Sequence, residues 1–173
     1  MNNRYFNTIM PSVNEQWAAR VLNMTWNSGN GPDLFDDKKI VEAKFLNQNY
    51  LDSINYAGNW TTFDFQLDYS PEKARYWALG TYTLSIPISR IWTRNRKRLE
   101  GYVTERELNI VDWTWMQQFP PHEVKGQTQR SQWHHIFRYA KRAKLPPIIS
   151  AHQVEKGTVF LTHGVNPEDF DLT

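Results

Sequence analysis

Apolar residues recur along this chain at two spacings, and each predicts a different element. Val13, Trp17, Val21 and Met24 follow a helical spacing, which predicts a helix over about 12–25. Ser12-Val13-Asn14-Glu15 reads as its capping box. The turn-rich run Asn27-Ser28-Gly29-Asn30-Gly31-Pro32 ends it. The period then falls to two. Strands are expected over Asp33 to Asp36 and Ile40 to Leu46, joined by a hairpin through Asp36-Asp37-Lys38-Lys39. In residues 61–68, Phe63, Phe65 and Leu67 alternate with polar residues, as in a half-buried strand.

Further on, Ser70-Pro71-Glu72 can open a short helix. The aromatic and β-branched run from Tyr76 to Trp92 predicts two strands broken near Pro87. Thr104-Glu105-Arg106-Glu107 offers a second capping box, whereas Ile110 to Trp115 has strand character, so that segment stays open. Ser131 to Lys144 reads as a helix with Trp133, Phe137 and Ala140 on one face. Ile148 to Val154 and Thr158 to Thr162 predict a hairpin around Glu155-Lys156-Gly157. This order points to one mixed α/β domain, a central mixed β-sheet flanked by helices over residues 1–173.

Composition narrows the picture by exclusion. With no Cys among 173 residues, disulfides and thiolate metal sites are ruled out. No apolar run approaches a membrane span and no signal-peptide core opens the chain, so a soluble cytoplasmic protein without membrane contact is expected. The net charge of +2 says little, but its distribution says more. Arg90, Arg94, Arg96, Lys97 and Arg98 fall in one acid-free stretch, of which Arg94 to Arg98 is expected to be a loop. Lys125, Arg130, Arg138, Lys141, Arg142 and Lys144 fall in another. Clustered base on a nearly neutral chain suggests a surface for a polyanion, and DNA is the expected partner. Two solvated charge runs are the plainer reading. The five histidines lack a ligand spacing and are expected to be structural or on the surface. Of the eight tryptophans, Trp17, Trp77, Trp113 and Trp133 are expected in the core, and Trp92, beside the basic tract, is expected to pack, with stacking on a base as the alternative.

The candidate chemistry lies in residues 31–44. In Ile40-Val41-Glu42-Ala43-Lys44-Phe45 the strand period turns Glu42 and Lys44 to one face and Val41, Ala43 and Phe45 to the other. The hairpin returns Asp33 beside them. Two carboxylates and an ammonium at the end of a sheet are what a metal-assisted attack of water on a phosphodiester requires. Asp33 and Glu42, with the Ala43 carbonyl, suit Mg²⁺, for which Mn²⁺ can substitute. Lys44 is placed to assist the water or the charged transition state. Asp36 and Asp37 read as turn residues.

Pro32-Asp33 followed by Glu42-Ala43-Lys44 resembles the PD-(D/E)xK nuclease superfamily, which includes restriction endonucleases, Holliday-junction resolvases and some homing endonucleases. The resemblance covers roughly residues 12–46 and implies a restriction-endonuclease-like core, in which a helix precedes a curved mixed sheet. A core helix is expected after the third strand, either the segment after Ser70 or the helix at Ser131, and in the second case residues 70–130 would be an elaboration. It also implies Asp33 as first acid, Glu42 as second and Lys44 as the lysine. An acid on the preceding helix often joins them, and Glu15 stands there, although a capping box accounts for it equally. The expectation is a homodimeric, Mg²⁺-dependent DNA endonuclease cutting a specific duplex site. Alternatives are a structure-specific (Holliday-junction) resolvase and a non-catalytic module binding nucleic acid or carbohydrate.

Overall fold

A computed structural model of the chain describes residues 4–48, 60–63, 73–118, 121–124, 127–132 and 145–172. Helix α1 (Arg4–Leu22) runs through Pro11 instead of starting at Ser12. Packing explains the difference. Phe6, Met10 and Val13 are buried with Tyr82, Leu84, Ile91 and Leu99, contacts that outweigh the N–H an interior proline lacks. Ser12 therefore sits mid-helix, where its hydroxyl donates to the Ile9 carbonyl at 2.8 Å. It caps nothing, and the capping-box account of Glu15 falls with it.

The strands, in chain order, are β1 (Thr25–Trp26), β2 (Leu34–Phe35), β3 (Lys39–Asn47), β4 (Trp60–Phe63), β5 (Ala74–Leu84), β6 (Val103–Asp112), β7 (Pro121–Val124), β8 (Gln127–Gln132), β9 (Ile148–Val154) and β10 (Gly157–Thr162). Seven of them form one mixed sheet in the order β1-β2-β3-β5-β6-β10-β9. Its β3–β5 and β6–β10 pairs are parallel. Strands β4, β8 and β7 make a smaller antiparallel sheet. The α/β class and the mixed central sheet are as expected.

Alternation gives the large sheet two apolar faces. On one, Val41, Ala43, Tyr76, Ala78, Leu108 and Ile110 are buried with Trp17, Ala18 and Leu22 of α1. On the other, Trp77, Leu79 and Val111 meet Trp60, Met116 and Leu145. Trp60 joins β4 to the large sheet by donating from its indole to the Gly80 carbonyl at 2.9 Å. Gly80 is required on the α1 side, because a Cβ there would stand 2.5 Å from the Phe45 ring.

Several local expectations change. The run after β5 is not a second strand: Pro87 leads into a single 3-10 turn (Ile88–Arg90), which sends Ile88 and Ile91 under α1. The basic tract is loop only to Asn95. There α2 (Arg96–Tyr102) begins, with the Asn95 side chain accepting the Arg98 N–H at 3.0 Å. Thr104 to Glu107 is strand rather than a helix start, since all of it lies in β6, which runs into α3 (Trp113–Met116). Ser131 and Gln132 end β8 against β4 instead of opening a helix. The rest of that predicted helix, with Trp133, Arg138, Lys141 and Arg142, lies outside the described residues, as do residues 64–68 and Ser70-Pro71-Glu72. The β9–β10 hairpin forms as expected, with Lys156 at φ 56° in its turn. Among the described residues no helix is long and apolar enough to cross a membrane.

Candidate functional site

Asn27 shapes the loop that delivers Asp33. Its side-chain amide donates to the carbonyls of Asn30 at 3.1 Å and Pro32 at 3.0 Å. Its side-chain oxygen accepts the Gly29 N–H at 3.0 Å, and its own N–H donates to the Asp33 carbonyl at 2.8 Å. Gly31 turns the chain at φ 106°, a conformation side chains disfavour. Beyond the loop, β2 pairs with β3 only at Leu34–Val41 and Phe35–Ile40. Where that pairing ends, the Asp33 carboxylate takes the place of a strand and accepts the Ala43 N–H at 2.9 Å. The hairpin turn is held by Asp36, which accepts the N–H groups of Lys38 at 2.8 Å and Lys39 at 2.9 Å and pairs with the Lys39 ammonium.

Glu42 and Lys44 share a face, as the strand period requires, with Lys44 Nζ 3.4 Å from Glu42 Oε1. Glu42 is only 6% exposed. From α1, Glu15 is hydrogen-bonded to Asp33 and feels the charges of Glu42 and Lys44. Four residues brought from a helix, a loop and a strand thus converge. Glu15, Asp33, Ala43 and Lys44 line one cleft of about 360 Å³, with Phe6 and Met10 of α1 on its wall.

Three carboxylates with one ammonium carry an excess of negative charge. Burial, and then the neighbouring Asp33, push the Glu15 carboxyl up to about 8 against the pull of Lys44. Burial and Asp33 likewise push Glu42 up to about 8, again against Lys44. The ion-free site therefore holds protons at neutral pH that isolated glutamates would have lost.

No family model, curated protein or solved structure matches this chain.

The site's own chemistry bears on a metal. Among the described residues no three acidic or histidine side chains already stand at coordination spacing. Mg²⁺ rarely needs such a cage, because it takes one or two carboxylates and keeps several waters. Asp33 and Glu42 fit that pattern. In an extended strand a residue's N–H and C=O point to the same side, so the Ala43 carbonyl shares the edge at which its N–H meets Asp33. The donor set is hard oxygen throughout, which suits Mg²⁺ or Mn²⁺ and not a thiophilic ion.

Among the expected DNA contacts, Arg90, Arg94, Arg96, Lys97 and Arg98 are all exposed. Two of them reach α1. The Arg94 guanidinium lies 3.8 Å from the centre of the Tyr5 ring, and Arg96 donates to the Ser12 hydroxyl. Arg130 is in β8, apart from that tract in the fold order. Trp92 does not pack as expected: it is 62% exposed. Sequence reasoning also missed a buried network beside the site. Arg106 pairs with both oxygens of Glu100, at 2.9 and 2.7 Å, and donates to Asn14 at 3.0 Å. Its signal was available, because Asn14 lies on the apolar stripe of α1 and a buried amide there needs a partner.

Proposed function

We propose that this chain is a Mg²⁺-dependent DNA endonuclease with a restriction-endonuclease-like core. The observation that carries the reading is that Glu15, Asp33 and Lys44 line one cleft while the buried Glu42 interacts with all three from beside it. Asp33 and Glu42, with the Ala43 carbonyl, would hold the ion, and Mn²⁺ would substitute for it. The bound ion supplies Lewis acidity to the scissile phosphate and an acidified water. Asp33 is kept in place by the Ala43 N–H, so it meets the ion without first finding its rotamer. Lys44 orients the attacking water and offsets the negative charge that builds on the phosphoryl oxygens as the new P–O bond forms and the ester P–O bond breaks. Glu15 places a further carboxyl at the edge of the same cleft. Cutting both strands of a duplex calls for two such sites, and a homodimer supplies them.

The test incubates the purified chain with supercoiled plasmid, forked and single-stranded DNA, with and without Mg²⁺ or Mn²⁺, beside Lys44→Ala and Asp33→Asn. Metal-dependent cutting lost in both variants is the expected result. If no DNA is ever cut, the enzyme reading fails; if both variants cut as well as the wild type, the residues are wrong.

A further inference from the structure

Trp92 has the highest exposure of the large apolar side chains among the described residues, at 62%. It is not on a loose segment. Its neighbour Ile91 is buried with Phe6 and Met10, the Thr93 hydroxyl accepts the Asn95 N–H at 3.0 Å, and Asn95 caps α2. A rigid support is therefore holding an indole in water. Tyr5, also exposed, lies nearby in the fold, with the Arg94 guanidinium 3.8 Å above its ring.

Charge indicates what these rings meet. From Arg90 to Leu99 the chain carries five cations and no acid, and the next residue, Glu100, is engaged by Arg106. Exposed rings flanked in the sequence by cations suit nucleic acid: rings stack on bases while arginines follow phosphates. Position indicates where. Tyr5, Ser12 and Glu15 fall at i, i+7 and i+10, along one stripe of α1. Arg96 holds Ser12, and Phe6 and Met10 line the cleft. At about 1.5 Å per residue, Tyr5 stands about 15 Å along the helix from Glu15.

We propose that Trp92, Tyr5 and Arg94 form a stacking shelf for unpaired bases, leading into the cleft, so that the substrate is DNA with a single-stranded stretch beside the cleavage point. Bases inside a duplex are stacked on one another and offer no face to an indole, so the shelf selects an unpaired strand. This assignment of substrate rests on the nuclease reading, but the shelf itself can be tested without cleavage.

Fluorescence anisotropy in EDTA compares a blunt duplex, the same duplex with a single-stranded tail, and the tail alone. The wild type is expected to bind tailed and single-stranded DNA about tenfold or more tighter than the blunt duplex. Stacking contributes about 1–3 kcal/mol per base, so Trp92→Ala should weaken tailed binding about 5- to 150-fold. Blunt binding should stay within about twofold, and Trp92→Phe should restore much of the loss. Equal binding of blunt and tailed DNA by the wild type overturns the shelf, and so does an equal loss on both in Trp92→Ala. Adding Mg²⁺ separates the two readings. No cleavage with the binding pattern intact removes the nuclease and leaves the shelf. Cleavage without any tail preference removes the shelf alone.

Discussion

Asn14 and Glu15 are neighbours on α1, yet they enter two opposite kinds of polar cluster. Asn14 joins Arg106, whose guanidinium also pairs with Glu100 through two hydrogen bonds and lies 5.0 Å from the Trp17 ring. There a cation meets an anion and a neutral amide. Glu15 joins Asp33, Glu42 and Lys44, where acids outnumber the base and two carboxyls are pushed up to about 8, chiefly by burial. Selection for stability alone accounts for the first cluster, because a buried charge that is matched is tolerated. It does not account for the second. Crowded acids cost stability, and such local conflicts collect where a ligand resolves them.

The largest effect that tests this contrast is on the matched side. Arg106→Met removes one partner of a buried pair and should lower stability by about 3–5 kcal/mol, read from urea midpoints at constant slope. A loss below about 1 kcal/mol would mean that the network does not frame α1. Next comes the crowded side. Lys44→Ala should cut the cleavage rate about 10²–10³-fold, the scale of losing one transition-state donor, while its urea midpoint stays close to the wild type. A variant that is both inactive and strongly destabilised would make Lys44 a structural residue, and the contrast would fail.

The crowded side was the more legible of the two in the sequence. Asp33, Glu42 and Lys44 are positioned by rules that act over a few residues: a glycine turn, an Asx-stabilised hairpin and a period of two. The sequence places Glu15 on α1, but the capping box that equally accounts for it needs a helix start at Ser12, which requires the proline to win. Phe6, Met10 and Val13 decided otherwise through partners about 70–90 residues away, which no local window contains. The matched network was illegible for the same cause: Asn14, Glu100 and Arg106 meet only once α1, α2 and β6 are packed. The parallel β3–β5 pairing, the place of Trp60 and the exposure of Trp92 are likewise tertiary facts. A local signal was overlooked at α2, where Asn95 stands ahead of a helix-forming run as an N-cap does.

A smaller effect probes the wall between the regions. Phe45 lines the cleft, and its ring occupies the space above Gly80. Gly80→Ala should displace it and cost about 1–3 kcal/mol by overpacking. If the cleft depends on that wall, the cleavage rate should also fall at a urea concentration far below the midpoint. An unchanged rate with reduced stability would confine Gly80 to the core.

The smallest effect bears most directly on the contrast. Glu15 and Glu42 have folded-state values raised to about 8 from about 4.5, so between those limits the ion-free folded chain holds protons that the unfolded chain has lost. Stability from these groups is therefore full below pH 4.5, falls as pH rises, and levels off above 8. Asp36 works oppositely. Burial alone would raise its carboxyl, but hydrogen bonds from Lys39 and from the Lys38 and Lys39 amides hold it low, so its contribution is lost only in acid. In EDTA the melting temperature should then drop by a few degrees between pH 5 and pH 8.5. Glu42→Gln should flatten that slope. Mg²⁺ should oppose it, raising the melting temperature more at pH 8.5 than at pH 5, because a hard cation binds the deprotonated carboxylates. A melting temperature that climbs with pH in EDTA would mean that the acids are not crowded, and the difference between Asn14's cluster and Glu15's would no longer mark one of them as functional.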